Sequence, residues 1–341
     1  MDRFDIPVVL IIFKRHEKIL RIIEQVSRIK PSKVYLLADG PRNAEEEELV
    51  RLCREKVEKA INWDCELIKN YSPHNRGVYR NIGEGAQWVF AREKKAIFLE
   101  DDNYPEISFF EYCKELLEKY ENDERVLWIC GTNYLEEYEP QDGSDYMFTK
   151  LMLPCGWASW SNKFLKYYEG KLDTYRDEAT KVRLKGTYTN TYLYKMNKKS
   201  FDRIHYAWDN NRLPNSWDYQ MAYAIRANNL FGISPKFNQI RNIGADNDSI
   251  HGGTSMTNIM TSRFCENRTK ELSFPLKHPR LLLVDTEYEK KMEKIIIPPF
   301  KGRVKLVVGS IIKYILRIPQ EETITKDLLN TAIRHPFRRK K

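Results

Sequence analysis

The first 130 residues alternate between two hydrophobic periods, and this alternation limits the possible folds more than any other feature of the chain. Pro7-Val8-Val9-Leu10-Ile11-Ile12-Phe13 is an unbroken apolar run of strand length, the pattern of a strand buried on both faces. Ile19, Ile22, Ile23, Val26 and Ile29 then recur at helical spacing over 17–29, and Pro31 stops that helix. A second strand over 33–38 ends at Asp39-Gly40-Pro41, an acidic helix follows over 44–60, and 65–68 reads as a third strand. The spacing predicts a helix over 78–92, a buried strand over 96–99, a helix over 105–120 and a strand over 126–130. Such alternation implies right-handed crossovers and an α/β fold, with a mainly parallel central sheet flanked by helices. In sheets of that kind ligands bind beyond the carboxyl ends of the strands, which points to Asp39 and to the acidic residues after Leu99.

After about residue 145 the texture changes. Gly156-Trp157-Ala158-Ser159-Trp160 reads as an aromatic-rich loop, 216–228 as a helix, and 235–253, rich in Asn, Asp and Gly, as a mobile loop beside a site. From about Pro298 the chain becomes basic and apolar.

The formal charge of +9 is unevenly placed: residues 301–341 hold eleven Lys/Arg against three Asp/Glu, so the first 300 residues are nearly neutral. That excludes a nucleic-acid partner for the body. The stretch from Lys301 to Arg317 interleaves apolar residues with Lys305, Lys313 and Arg317, and the chain closes on Arg338-Arg339-Lys340-Lys341. This pattern suits an interfacial helix on an anionic membrane surface; the alternative is a helix packed on the body with a solvated basic end. The six cysteines show no CxxC spacing and no histidine company, which excludes the usual zinc signatures and reads as reduced thiols. Ile6–Phe13 is too short for a signal peptide, and no window reaches the ~18 apolar residues of a spanning helix. The expectation is a cytoplasmic protein, peripheral on the inner face of the cell membrane if its tail binds there.

The strongest chemical feature is Phe98-Leu99-Glu100-Asp101-Asp102, a buried strand running into three consecutive carboxylates. Their mutual repulsion is costly unless water or a cation relieves it, and oxygen-only ligands suit Mg2+ or Mn2+ with substrate phosphates completing the shell. The alternative is that Asp102 or Asn103 merely caps the following helix. Asp39 sits in an ordinary DG turn, where its functional reading is a hydrogen-bond acceptor for a nucleobase. Asn75-Arg76-Gly77 opens a helix whose N–H groups, with Arg76, can meet phosphate. Trp217-Asp218-Tyr219 puts a carboxylate at a helix start between aromatics, either a cap or a general base facing a sugar stacked on an aromatic ring. His251 is a candidate metal ligand or diphosphate contact. Gly83-Glu84-Gly85 is no dinucleotide fingerprint, and neither a P-loop nor a nucleophile elbow exists.

These elements in this order resemble glycosyltransferases of the GT-A fold, a Rossmann-like fold. The likeness is to the N-acetylglucosaminyltransferase-I-like group and to bacterial enzymes that build surface polysaccharides. It is carried by PVVLIIFKR, LLADGPR, NRGVYRNIGEGAQWVF, IFLEDDNYPEISFFEYCKELLEKY, GTN at 131–133, GWASW, SWDYQ and SPKFNQIRNIGADNDSIHGG, over roughly residues 5–255. Where eukaryotic relatives carry another polar pattern, this chain has Tyr79-Arg80. The resemblance implies that Asp102, with His251, ligates Mn2+ or Mg2+, and that Glu100 and Asp101 support the ribose or the metal's waters. It implies further that Asp39 reads the base, taken as uracil, that Asp218 is the acceptor-side base, and that Trp157 and Trp217 are acceptor-side aromatics. Residues 1–135 would then form the nucleotide-sugar half, 136–275 the acceptor half, and 276–341 a C-terminal extension. The implied reaction is inverting transfer from a nucleotide-sugar donor to a glycan or lipid-linked acceptor. A nucleotidyltransferase would want a glycine-rich loop after the first strand, where Phe13-Lys14-Arg15-His16-Glu17 has no glycine. A non-catalytic, membrane-associated carbohydrate-binding protein using the many Tyr and Trp is the remaining alternative.

Overall fold

The structure, a computed structural model, describes residues 4–245 and 259–322. The chain separates into two compact units, Met1–Gly170 with Asn215–Met292, and Lys171–Pro214 with Glu293–Lys341.

The first unit is built on one eight-stranded sheet. Its strands are β1 (Val8–Ile12), β2 (Lys33–Ala38), β3 (Glu66–Tyr71) and β4 (Lys95–Glu100), then, past a short β5 (Asn103–Pro105), β6 (Val126–Cys130), β7 (Tyr146–Thr149), β8 (Trp157–Trp160) and β9 (Phe231–Pro235). The spatial order is β3-β2-β1-β4-β8-β6-β9-β7. β3, β2, β1 and β4 are mutually parallel, as are β6 and β9, whereas β8 and β7 run antiparallel to their neighbours. The fold is therefore mixed α/β with a mainly parallel sheet, as the alternating periods predict. A separate two-stranded ribbon pairs β10 (Ile240–Asn242) with β5.

The helices are α1 (His16–Ile29), α2 (Ala44–Ala60), α3 (Gly85–Phe90), α4 (Ser108–Lys119), α5 (Ser161–Tyr167), α6 (Glu178–Lys185), α7 (Thr191–Asp209), α8 (Asp218–Ala227), α9 (Ile259–Phe264), α10 (Thr286–Ile296) and α11 (Phe300–Ile315). On one face of the sheet, Ile19, Ile22, Ile23 and Val26 of α1 join Cys53 and Val57 of α2 and Phe109 to Leu117 of α4 in one core. Each large aliphatic chain buried there contributes about 1.5–3 kcal/mol. The opposite face is aromatic: Phe98 stacks on Trp157 at 3.9 Å, Trp157 on Trp128 at 4.3 Å, and Phe90 packs on Phe98 at 5.3 Å.

Two sequence expectations need correction here. The segment 157–160 is not a loop but β8, fully buried between β4 and β6. Its four residues hide a period of two: Trp157 belongs to the aromatic face, while Ala158 and Trp160 join the core against α4. The helix expected over 105–120 starts only at Ser108, because Asn103–Pro105 is spent on pairing with β10. Asp102 and Asn103 therefore do not cap α4. The helix expected over 78–92 is present but opens with a widened π turn at Tyr79–Glu84.

The second unit contains α6, α7 and α11. Asp177 and Asn190 cap α6 and α7 with side-chain oxygens, which accounts for where those helices start. No helix among the described residues is long and apolar enough to cross a membrane.

Candidate functional site

From β1 the chain crosses to β2 on one side, and β4 pairs with β1 on the other, Ile11 lying opposite Glu100. The strand order therefore reverses between β1 and β4, leaving a crevice at their carboxyl ends where open α/β sheets take ligands. Three residues beyond β1 stands Arg15; directly beyond β4 stand Asp101 and Asp102. They meet across the crevice. Arg15 Nε donates to Asp101 Oδ2 at 3.1 Å, and its Nη2 donates both to Asp101 Oδ1 and to Asp102 Oδ2, the latter at 3.0 Å.

The Asp102 carboxylate is held from several directions. Asn103 Nδ2 donates to Asp102 Oδ1 at 2.7 Å, while Asn103 Oδ1 accepts the Gly156 N–H at 2.8 Å and so ties the turn to the start of β8. The Asp102 carbonyl accepts the Ile243 N–H at 2.8 Å, which brings the residues after β10 over the cluster. Gly244 fits there because it lacks a side chain: a Cβ would lie 2.6 Å from Asp102 Oδ2. Asp102 remains partly open to solvent, whereas Asp101 is buried.

Burial raises the Glu100 carboxyl well above the usual carboxylate range; the charges of Asp102, Asp101 and Asp218 push it the same way, against Arg15. Burial raises Asp101 as well, outweighing the attraction of Arg15. Lys18 adds a second, weaker positive influence on Asp101. Glu100 thus feels Asp101, Asp102 and Asp218 against Arg15, and Asp101 feels Asp102 against Arg15 and Lys18. Among the described residues no group of three His, Cys, Asp or Glu side chains is arranged to hold a metal. Asp101 and Asp102 nonetheless fit a hard cation of the kind that takes one or two carboxylates from protein and the rest from phosphate and water.

A stability prediction follows from Glu100. A carboxyl whose pKa is raised on folding favours the folded state at low pH, and that contribution is lost as pH rises through the raised value. Glu100→Gln, which cannot ionise, is therefore expected to raise the melting temperature at pH 8, measured in chelator, and to leave it nearly unchanged at pH 4.

Asp39 lies at the end of β2 and is buried. Its Oδ1 accepts the N–H groups of Gly40 at 2.8 Å and Arg76 at 2.7 Å; its Oδ2 accepts Asn75 Nδ2 at 3.0 Å and the Gly77 N–H at 3.1 Å. These four donors occupy the carboxylate, so Asp39 fastens the Asn75-Arg76-Gly77 loop to the sheet and keeps no open lone pair for a base. The expectation that it reads a nucleobase is corrected accordingly. Gly40 is required at this junction, since a Cβ would come within 2.5 Å of the His74 backbone. Arg76 itself donates to Asn81 Oδ1 at 2.8 and 3.1 Å and to Asn70 Oδ1 at 3.1 Å. Burial lowers its pKa, with Asp39 opposing. Among the described residues its guanidinium thus donates to neutral side-chain amides, with the charges of Asp39 and Glu84 nearby.

Asp218 is the first residue of α8, and its charge is among those that raise the Glu100 carboxyl. The aromatics expected to meet an acceptor are in the core. Trp157 is fully buried between Phe98 and Trp128, and Trp217 is buried 5.6 Å from Trp157. Neither ring offers a free face. Their work is to set α8: Tyr168 Oη donates to the Trp217 carbonyl at 2.9 Å, fixing the residue just before Asp218. His251 lies outside the described residues. Arg15 was not singled out by its sequence pattern; the available signal was a basic residue just past a buried strand in a chain with an unmatched acidic triplet.

No family model matches the sequence, and no curated protein matches it. Among solved structures, the chain is similar to a mannosyltransferase from Pyrobaculum calidifontis in complex with GDP-Man and Mn2+, at 14% identity over 65% of this chain and 70% of that one, with a TM-score of 0.37. An apo UDP-glucose pyrophosphorylase shows 10% identity over 70% of this chain and 93% of its own, with a TM-score of 0.37. An active-site mutant of LgtC shows 11% identity over 87% of this chain and 99% of its own, with a TM-score of 0.32.

Proposed function

We propose that the chain is a GT-A glycosyltransferase that moves a sugar, with inversion, from a nucleotide-diphosphate donor, taken as a UDP-sugar, to a glycan or lipid-linked acceptor in surface polysaccharide synthesis. The observation that carries this reading is the meeting of Arg15 with Asp101 and Asp102 in the β1–β4 crevice. Residues 1–135 supply the donor side and 136–275 the acceptor side, with 276–341 as an extension.

In this mechanism the nucleotide lies along the carboxyl ends of β1 and β2, between Arg15 and the loop that Asp39 fastens. Arg76, its guanidinium bonded to the Asn70 and Asn81 amides, turns its charge to the nucleotide's phosphate or base. A divalent ion held by Asp102 with Asp101 would supply positive charge against the departing diphosphate. Arg15 then needs only to rotate off one carboxylate to meet a phosphate oxygen, keeping the other as its anchor. Asp218 accepts the proton of the acceptor hydroxyl as that oxygen attacks the anomeric carbon from the side opposite the leaving group. Glu100, whose carboxyl burial and the neighbouring carboxylates push above the usual carboxylate range, backs the cluster from the end of β4.

The nucleotidyltransferase alternative is disfavoured by the connection between β1 and α1: Phe13-Lys14-Arg15 carries no glycine and no room for a phosphate-wrapping loop. A thermal-shift panel of nucleotide sugars, with and without Mn2+, tests the proposal. The expected result is a metal-dependent rise in melting temperature for one nucleotide class, about 2.7 kcal/mol of stabilisation at a hundredfold excess over Kd. Glycan binding with no response to any nucleotide sugar would instead favour the non-catalytic carbohydrate-binding reading.

A further inference from the structure

Helix α11 carries its amphipathic pattern inside out. The least exposed residues are Gly302, Gly309 and Ser310, half-buried, and Lys313, small or polar positions on one helical face that the exposed Leu306 interrupts. This polar seam is the anchored one. Lys313 is buried, and its Nζ donates to the carbonyls of Gln320 and Glu322, while Gln320 Nε2 donates to the Ser310 carbonyl at 3.0 Å. Arg212, following α7, closes the arrangement by pairing with Glu322 through two bonds of 2.9 and 3.0 Å.

The opposite face is apolar and open. Phe300, Val304, Val307, Ile311, Tyr314 and Ile315 form a continuous stripe at helical spacing, each between 45 and 81% exposed. A water-facing stripe of this size on a helix is costly unless something covers it. Three observations say what the cover must be. No Asp or Glu occurs between 300 and 315, and Lys301, Arg303 and Arg317 stand exposed beside the stripe. Residues 300–317 hold five Lys/Arg and no acidic residue, so a second copy of the chain would bring two positively charged helices together. Sixteen residues make a helix of about 24 Å, shorter than the ~30 Å hydrocarbon core, so α11 can lie in a bilayer surface and cannot span it.

We propose that α11 is an interfacial anchor that lays its apolar stripe into an anionic lipid surface, with Lys301, Arg303 and Arg317 meeting the headgroups. The basic, apolar sequence pattern left open whether this helix binds lipid or packs on the body; the inverted burial favours lipid. The inference is independent of the transferase reading, because none of these residues belongs to the β1–β4 crevice.

The test is co-flotation of the full chain with vesicles of phosphatidylcholine alone or of phosphatidylcholine and phosphatidylglycerol in equal parts. The parent protein is expected to float with the anionic vesicles about tenfold or more better than with the neutral ones. Val307→Glu/Ile311→Glu/Ile315→Glu is expected to lose that binding about tenfold or more while keeping the melting temperature, because all three side chains are exposed. Lys301→Gln/Arg303→Gln/Arg317→Gln should weaken binding to anionic vesicles and flatten its salt dependence. A parent protein that floats with neither vesicle, or a triple-Glu variant that floats like the parent, overturns the proposal. So does a dimer in solution that the triple-Glu variant splits, since the stripe would then be covered by a second copy.

Discussion

Asp102→Asn is expected to lower turnover by about 10²–10³-fold with little change in folding, the loss typical of removing one electrostatic stabiliser of a leaving group. Asn keeps the shape of the side chain and its contact with Asn103 while removing the charge that faces Arg15. Asp102 is partly exposed and held by neighbours on several sides, whereas Asp101 is buried, and the proposal therefore gives the diphosphate-bound cation to Asp102. Release of nucleoside diphosphate at saturating donor measures the loss. The same variant is expected to need a higher Mn2+ concentration for half-maximal rate. Near-parental turnover at unchanged metal dependence would remove Asp102 from the site. Gly244→Ala reports on the same carboxylate from the opposite side: its methyl must displace Asp102 Oδ2, and the donor response should weaken with it.

Asp218→Asn is expected to lower kcat by about 10²–10⁴-fold, the range for loss of a positioned general base. Donor-induced thermal shifts should persist, because the proposed donor side lies between Arg15, Arg76 and Asp102. That separation of turnover from donor binding distinguishes a base from a residue that merely holds α8 in place. The reference for a positioning role is Trp217→Phe, which trims the ring packed 5.6 Å from Trp157 and should cost stability and rate together. Removing the Asp218 charge also removes one of the repulsions acting on Glu100, so Asp218→Asn should shift the pH dependence of stability toward that of Glu100→Gln.

Much of the sheet was legible because it is buried on both faces. β2, α2 and β6 lie at the residues that their periods predict, and β1, α1 and β4 differ only at their ends. β8 was hidden because two of its four residues are Trp and its neighbours in space, β4 and β6, are far away in sequence. β5 was hidden because three residues carry no period; the ribbon exists only through its partner after β9. At the site, the acidic triplet stood out because three adjacent carboxylates after a buried strand conflict with local stability. Arg15 did not, since nothing between residues 15 and 101 signals that the turns after β1 and β4 converge; that follows from sheet order alone. Asp39 was found for its position at a strand end, but its role differs, because four donors from nearby backbone and Asn75 already occupy it.

The most direct measurement is a crystal structure of the protein with Mn2+ and the nucleoside diphosphate that gives the largest thermal shift. The expected result is diphosphate density in the crevice between β1 and β4, within hydrogen-bonding distance of Arg15 and bridged to Asp102 by the metal, with the nucleoside lying toward Arg76. Nucleotide bound away from that crevice, or bound there with Arg15 still clamped on both Asp101 and Asp102 and no metal between, would contradict it.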